Sequence, residues 1–164
     1  MKLRRLKKED AELMLEWMHD DFVVQDLATD FKTKTLDDCN SFILHANAAY
    51  EDMNNCVNLH VAIADDEGEY MGTVSLKNID RVNKMAEFAI TVRSLVMGKG
   101  YGVYAMNQML RFGFEDPRLL LEDIYWCVNK RNIRARRFYD KQKYKIVEAN
   151  KNMRINYKNG GVLN

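Results

Sequence analysis

Three of the chain's 8 glycines fall at alternating positions in the run Met97-Gly98-Lys99-Gly100-Tyr101-Gly102, and this cluster constrains the fold more than any other feature. Upstream, residues 85–92 (MAEFAITV) read as a strand. Downstream, residues 101–114 carry Val103, Ala105, Met106, Met109, Leu110 and Phe114 on one helical side. The glycines therefore stand at a strand-to-helix junction. There, backbone N–H groups and the positive end of the helix dipole together suit an anion such as a phosphate. A tight turn needing positive φ explains one glycine easily and three poorly. A nucleotide P-loop requires GxxxxGK followed by Ser or Thr, which is absent. A dinucleotide fingerprint requires its third glycine elsewhere and an acid ending the next strand, whereas Glu122 and Asp123 precede theirs.

The remaining chain reads as one α+β domain over residues 1–164, without a linker or internal repeat. Strands are expected at 2–6, 58–64, 69–78, 85–92, 124–128, 145–149 and 153–158, the last two joined by a turn at 150–152. Helices are expected from 8–10 onward, over 35–50, over 101–114 and over 132–142, with residues 20–33 an irregular connection. The sum is a mixed, mostly antiparallel sheet of six to seven strands with about four helices on both faces. Antiparallel hairpins come first and a β-α-β unit follows.

Charge narrows the function classes. With 25 basic and 24 acidic residues the net charge is +1, which argues against bulk binding to nucleic acid or to a membrane surface. The arginine-rich stretch 130–137 resembles a nucleic-acid patch, but its place after a central strand fits a phosphate-facing helix start. Cys39, Cys56 and Cys127 have no CxxC spacing, and His19, His45 and His60 no ligand spacing. Neither a disulfide framework nor a metal site is expected. No apolar signal region or membrane-length run occurs, so a cytoplasmic location is expected.

A second motif lies about thirty residues beyond the glycines: Asn132-Ile133-Arg134-Ala135-Arg136-Arg137-Phe138-Tyr139-Asp140-Lys141-Gln142-Lys143-Tyr144. Read with the run from Val92 to Gly102, it resembles the GNAT acetyltransferases. In that family a strand ending in Val leads to Gln/Arg-x-x-Gly-x-Gly/Ala, and Asn-x-x-Ala-x-x-x-Tyr-x-Lys-x-Gly-Phe follows the next strand. The resemblance extends over essentially the whole chain. It is closest to the branch containing ribosomal-protein and spermidine N-acetyltransferases, by Tyr70-Met71-Gly72-Thr73 and Ala86-Glu87-Phe88. Three departures stand out: Met97 replaces Gln or Arg, Ser94 replaces a common proline, and Lys143-Tyr144 replaces Gly-Phe.

The resemblance implies acetyl-CoA as acyl donor, no metal, and direct transfer to a primary amine in a ternary complex. Met97, Gly98, Lys99, Gly100, Tyr101 and Gly102 would surround the diphosphate. Ile90 and Val92 would pair with the pantetheine arm as an added strand, and one of their N–H groups would face the developing oxyanion. Asn132 would bond a pantetheine amide, and Arg131, Arg134 or Lys99 would meet the 3′-phosphate. Tyr139 is the expected acid for the leaving thiolate. Glu87 is either the base or a salt-bridge partner on the sheet surface. Phe22, Asp26 and Phe31 would wall the acceptor site. The acceptor is a polyamine, an amino sugar or a protein N-terminus, and the chain a monomer or homodimer. The alternative is a non-catalytic CoA-binding sensor or interaction module.

Overall fold

The computed structural model describes residues 1–142 and, for the closing part of the chain, the backbone of two further strands. The expected turn at 150–152, Met153 at the start of the last expected strand, and Lys143-Tyr144 lie outside the described residues. The strands are β1 (Lys2–Arg4), β2 (Leu59–Ala64), β3 (Tyr70–Asp80), β4 (Met85–Val92), β5 (Asp123–Asn129), β6 (Lys145–Ala149) and β7 (Arg154–Asn159). They form one sheet in the order β1-β2-β3-β4-β5-β7-β6. Every neighbouring pair is antiparallel except β4–β5, which is parallel and spanned by a crossover helix.

Among the described residues five α-helices accompany the sheet: α1 (Asp10–Met18), α2 (Asp21–Val24), α3 (Leu36–Glu51), α4 (Tyr101–Glu115) and α5 (Ile133–Lys141). The start of α3 follows from a capping box, in which the Thr35 side chain accepts from Asp38 N–H and the Asp38 carboxylate accepts from Thr35 N–H. The connection expected to be irregular contains α2 and a 3-10 turn at Phe31–Thr33. Local acids organise it: Asp20 caps α2 by accepting from Phe22 N–H, and Asp30 accepts from Lys32 N–H. Their short acceptors satisfy N–H groups that would otherwise point at water. Asp20 and Asp30 are therefore structural before they are anything else.

Two cores flank the sheet. One packs α4 and α5 against Leu76, Phe88, Ile124 and Trp126; the other packs α1 and α3 against Ala62 and Tyr70. Because side chains alternate along a strand, Ala86 and Phe88 on the α4 side send Glu87, Ala89 and Thr91 to the other face. Trp126 likewise sends Tyr125 and Cys127 there. α1 and α3 pack on β3 and β2, so these five residues of β4 and β5 remain half-buried.

Candidate functional site

The site begins where β4 and β5 part. Their register runs Met85–Asp123, Ala86–Ile124, Glu87–Tyr125 and stops, while β5 continues against β7 through Asn129. Beyond Glu87, β4 keeps only β3 as a neighbour. Arg93 N–H donates to the Met71 carbonyl at 2.9 Å, which sets the parity of the ladder. Antiparallel strands alternate the side to which a residue's N–H and C=O point, so those of Phe88, Ile90 and Val92 point away from β3. They face the gap. An extended ligand entering it would find a strand edge ready to pair.

The glycine run lies at the open end of the gap. Gly98 has φ 78° and Gly100 φ 89°, in the left-handed region, and a Cβ at either would meet no atom within 4 Å. Gly100 is the N-cap of α4 and makes no side-chain cap. The Tyr104 N–H bonds back to the Gly100 carbonyl at 3.0 Å, so the earlier amides of Tyr101, Gly102 and Val103 point outward from the helix start. This is an uncapped helix end beside open space, with Lys99 exposed in the loop. Gly102 serves a different purpose from the other two. A Cβ there would lie 3.2 Å from Phe138 Cε2, so its smallness lets α5 approach α4. Met97 packs into the α1–α3 core and Tyr101 against the α4 core.

On the α4–α5 side of the gap, Tyr139 is buried, 6% exposed, with its ring 5.3 Å from Trp126, the first β5 residue beyond the last β4 pair. Asn132 is also buried and caps α5 by accepting from Ala135 N–H at 2.9 Å. Its Nδ2 remains the donor end of the amide. Ile90 and Val92 pack against the same core.

Glu87 is on the opposite face, and both its oxygens are engaged: Lys77 Nζ is 3.2 Å from Oε1, and Asn78 Nδ2 donates to Oε2 at 3.0 Å. Beside it, burial and the Glu87 and Cys127 charges push the Tyr125 phenol above its ordinary value. Tyr125 did not stand out in the sequence; its register opposite Glu87 is what marks it. The residues expected to wall the acceptor site differ in their surroundings. Phe22 is exposed, Asp26 half-buried in the turn after α2, and Phe31 packs edge-on against Trp17 at 5.1 Å.

Arg134 does not extend toward the glycine loop. Its guanidinium donates to the carbonyls of Phe22 (2.6 Å) and Val23 (3.2 Å) and lies 4.8 Å from the centre of the Phe22 ring. It thereby ties the start of α5 to α2, joining a residue expected at the cofactor with one expected at the acceptor. Arg93, which gave no signal in the sequence, is buried. It grips Glu16 of α1 and Glu69 at 3.0 Å each, fixing the end of β4 just before the loop. A cleft of about 520 Å³ lies elsewhere, between the C-terminal half of α4 and β1–β2. Among the described residues no group of His, Cys, Asp and Glu is arranged to hold a metal ion, and no helix is long and apolar enough to cross a membrane.

Comparison with known proteins bears on the family and the fold. The profile of the acetyltransferase (GNAT) domain matches residues 1–145. No curated protein matches the chain. Among solved structures, a spermidine N-acetyltransferase from Vibrio cholerae in complex with CoA and spermine superposes with a TM-score of 0.72 at 20% identity, covering 96% of this chain and 92% of that one. A probable acetyltransferase gives 0.80 at 21% identity, with coverages of 96% and 91%. The microcin C7 self-immunity acetyltransferase MccE, in complex with acetyl-CoA and AMP, gives 0.77 at 16% identity, again covering 96% and 91%. At these identities the likeness is one of fold.

Proposed function

Since the chain belongs to the GNAT acetyltransferase family, we propose that it transfers the acetyl group of acetyl-CoA directly to a primary amine of a small molecule (a polyamine or an amino sugar) or of a protein N-terminus. One observation carries the reading: β4 leaves β5 after Glu87 and leads, through an exposed strand edge, into an uncapped glycine-rich helix start.

Dimensions support it. The arm between the diphosphate and the sulfur has about twelve chain atoms, equivalent to roughly four extended residues or about 14 Å. Laid along the edge of β4, that length covers the segment around Ile90 and Val92 that leads to the point where the strands meet. The amides of Gly98 and Gly100–Val103 hold the diphosphate. The edge groups of Ile90 and Val92 pair with the arm, and one N–H stabilises charge developing on the thioester oxygen. Asn132 Nδ2 donates to a carbonyl of the arm. Lys99 and Arg131 are the cations left for the 3′-phosphate once Arg134 is committed to α2.

Tyr139 and Glu87 lie on opposite faces of the sheet at this gap, which suits a transfer in which thiolate leaves toward one side and amine arrives from the other. Tyr139 protonates the leaving thiolate. Glu87, released from Lys77, takes the proton of the amine. The acceptor enters over the open face beyond α2, within reach of Phe22, Asp26 and Phe31.

The test is release of CoA thiol from acetyl-CoA over a panel of polyamines, amino sugars and N-terminal peptides. Turnover of one class, slowed roughly 10²-fold by Tyr139→Phe with acetyl-CoA affinity retained, is the expected result. An unchanged rate rejects Tyr139 as the acid. Binding without turnover of any amine makes the chain a CoA-binding module, and no binding at millimolar acetyl-CoA ends the reading altogether.

A further inference from the structure

We infer that Lys77 is itself an acetyl acceptor, a self-acetylation site on the open face of the sheet; this rests on the acetyl-transfer function proposed above. The chain carries an aliphatic primary amine on the carboxylate best placed to deprotonate one. Lys77 and Glu87 are directly opposed across β3 and β4, with Nζ 3.2 Å from Oε1. Glu87 belongs to the last residue pair before the gap opens. A thioester held at the Ile90 N–H lies on the same strand edge, three residues along β4 from the carboxylate that Lys77 touches.

Access and mobility agree with this role. The Lys77 side chain is 35% and that of Glu87 20% exposed, so the pair is neither sealed nor held as a buried ion pair. Pairs of such exposure contribute little, so the amine is not locked in place. Asn78 donates to the other Glu87 oxygen at 3.0 Å and keeps the carboxylate oriented when Lys77 moves. Asn78 holds φ 51° at the irregularity between Lys77 and Asp80. There the hairpin bends, so that two successive residues of β3, which would ordinarily face opposite ways, both reach Glu87.

The step balances without another reactant. The Lys77 ammonium gives a proton to Glu87, and the neutral amine attacks the thioester carbonyl. The C–N bond forms and the C–S bond breaks; the second proton of the attacking nitrogen passes to water, the thiolate takes a proton from Tyr139, Tyr139 is reprotonated from solvent, and Glu87 gives its proton up to solvent. The products are Nζ-acetyl-Lys77 and CoA. Acetylation removes the charge that occupies Glu87, so the modified enzyme presents a freed carboxylate to external amines.

The protein is incubated with acetyl-CoA alone and followed by intact mass and peptide mapping, with binding measured in parallel by calorimetry. One acetyl group per chain is expected on Lys77. Its rate should be independent of protein concentration, faster than at the exposed Lys8 and Lys99, absent in Lys77→Arg and slowed roughly 10²-fold in Glu87→Gln. Glu87→Asp, which keeps the charge, should retain part of the rate, and melting curves check that each variant is folded. If acetyl-CoA binds and Lys77 labels no faster than Lys8 and Lys99, or at a rate rising with protein concentration, the inference is overturned while the acetyltransferase reading stands. If acetyl-CoA does not bind, both fall.

Discussion

Gly100 and Gly102 are two residues apart, and alanine should affect them in opposite ways. At Gly100 the backbone has φ 89° and ψ −10°, and a new Cβ would meet nothing within 4 Å. The whole cost is therefore conformational, about 1–2 kcal/mol for an L-residue held in the left-handed region. That strain has two outlets. If the loop keeps its shape, the protein melts roughly 2–8 °C lower, taking about 2–4 °C per kcal/mol for a domain of this size. If the loop flips to negative φ, the melting point recovers but the amides turn from the anion, and the same energy weakens acetyl-CoA binding by roughly 5–30-fold. At Gly102 the constraint is a ring edge, Phe138 Cε2 at 3.2 Å, which can yield by a few tenths of an ångström. Helix propensity favours alanine over glycine by about 1 kcal/mol and offsets that displacement. Gly102→Ala should thus stay within about 1 kcal/mol of the parent in stability. Thermal melts and calorimetry with acetyl-CoA on both variants decide it. Gly100→Ala matching the parent in both measurements, or Gly102→Ala losing more than Gly100→Ala, would refute the assignment of strain to one glycine and packing to the other.

Gly72→Ala is expected to be the most damaging glycine change. Its Cβ would come 2.3 Å from the Thr91 carbonyl oxygen and 2.9 Å from Val92 Cα, both backbone. Separating β3 from β4 there should cost about 3 kcal/mol or more and displace the strand edge at the gap; urea unfolding at parental stability would count against that. His60 predicts a pH dependence. Burial first, and Lys77 second, lower its pKa from 6.5 to about 4, so the fold favours the neutral ring. A depressed folded pKa means stability fully present above about pH 6.5 and lost as pH falls toward 4, by up to about 3 kcal/mol. His60→Gln keeps a partner for the Ser75 hydroxyl, which is 2.6 Å from His60 Nδ1. The variant should lose less stability than the parent between those pH values, and parallel acid limbs in the two melting series would remove His60 as the cause.

The parts of the site legible in the sequence are those built from consecutive backbone. The strand into the glycine run, the helix out of it and the capped helix at Asn132 each depend on residues within one turn of each other, so local spacing carries them. The face of the sheet on which Glu87 lies was also within reach. Once Phe88 is taken as core, parity along β4 puts Glu87 on the other side. The fates of Arg134, Gly102 and Glu87 were not legible, because each is decided by a partner in another element. Arg134 reads as a phosphate ligand until α2, more than 100 residues earlier, presents the carbonyls of Phe22 and Val23. α2 itself was missed because four residues make no period, and its formation rests on the Asp20 cap and on tertiary burial of Val23 and Val24. Gly102 looks like a third phosphate glycine until Phe138 arrives on α5. The same distinction separates donor from acceptor. On the function proposed above, the diphosphate and the arm meet mainly main-chain groups of the continuous segment from Ile90 to Val103, whereas the acceptor would meet side chains brought together from α2, β3, β4 and β5. On that reading a change at Arg134 acts on both at once, since Arg134 is the contact through which α5, which follows the β4–β5 gap, holds α2.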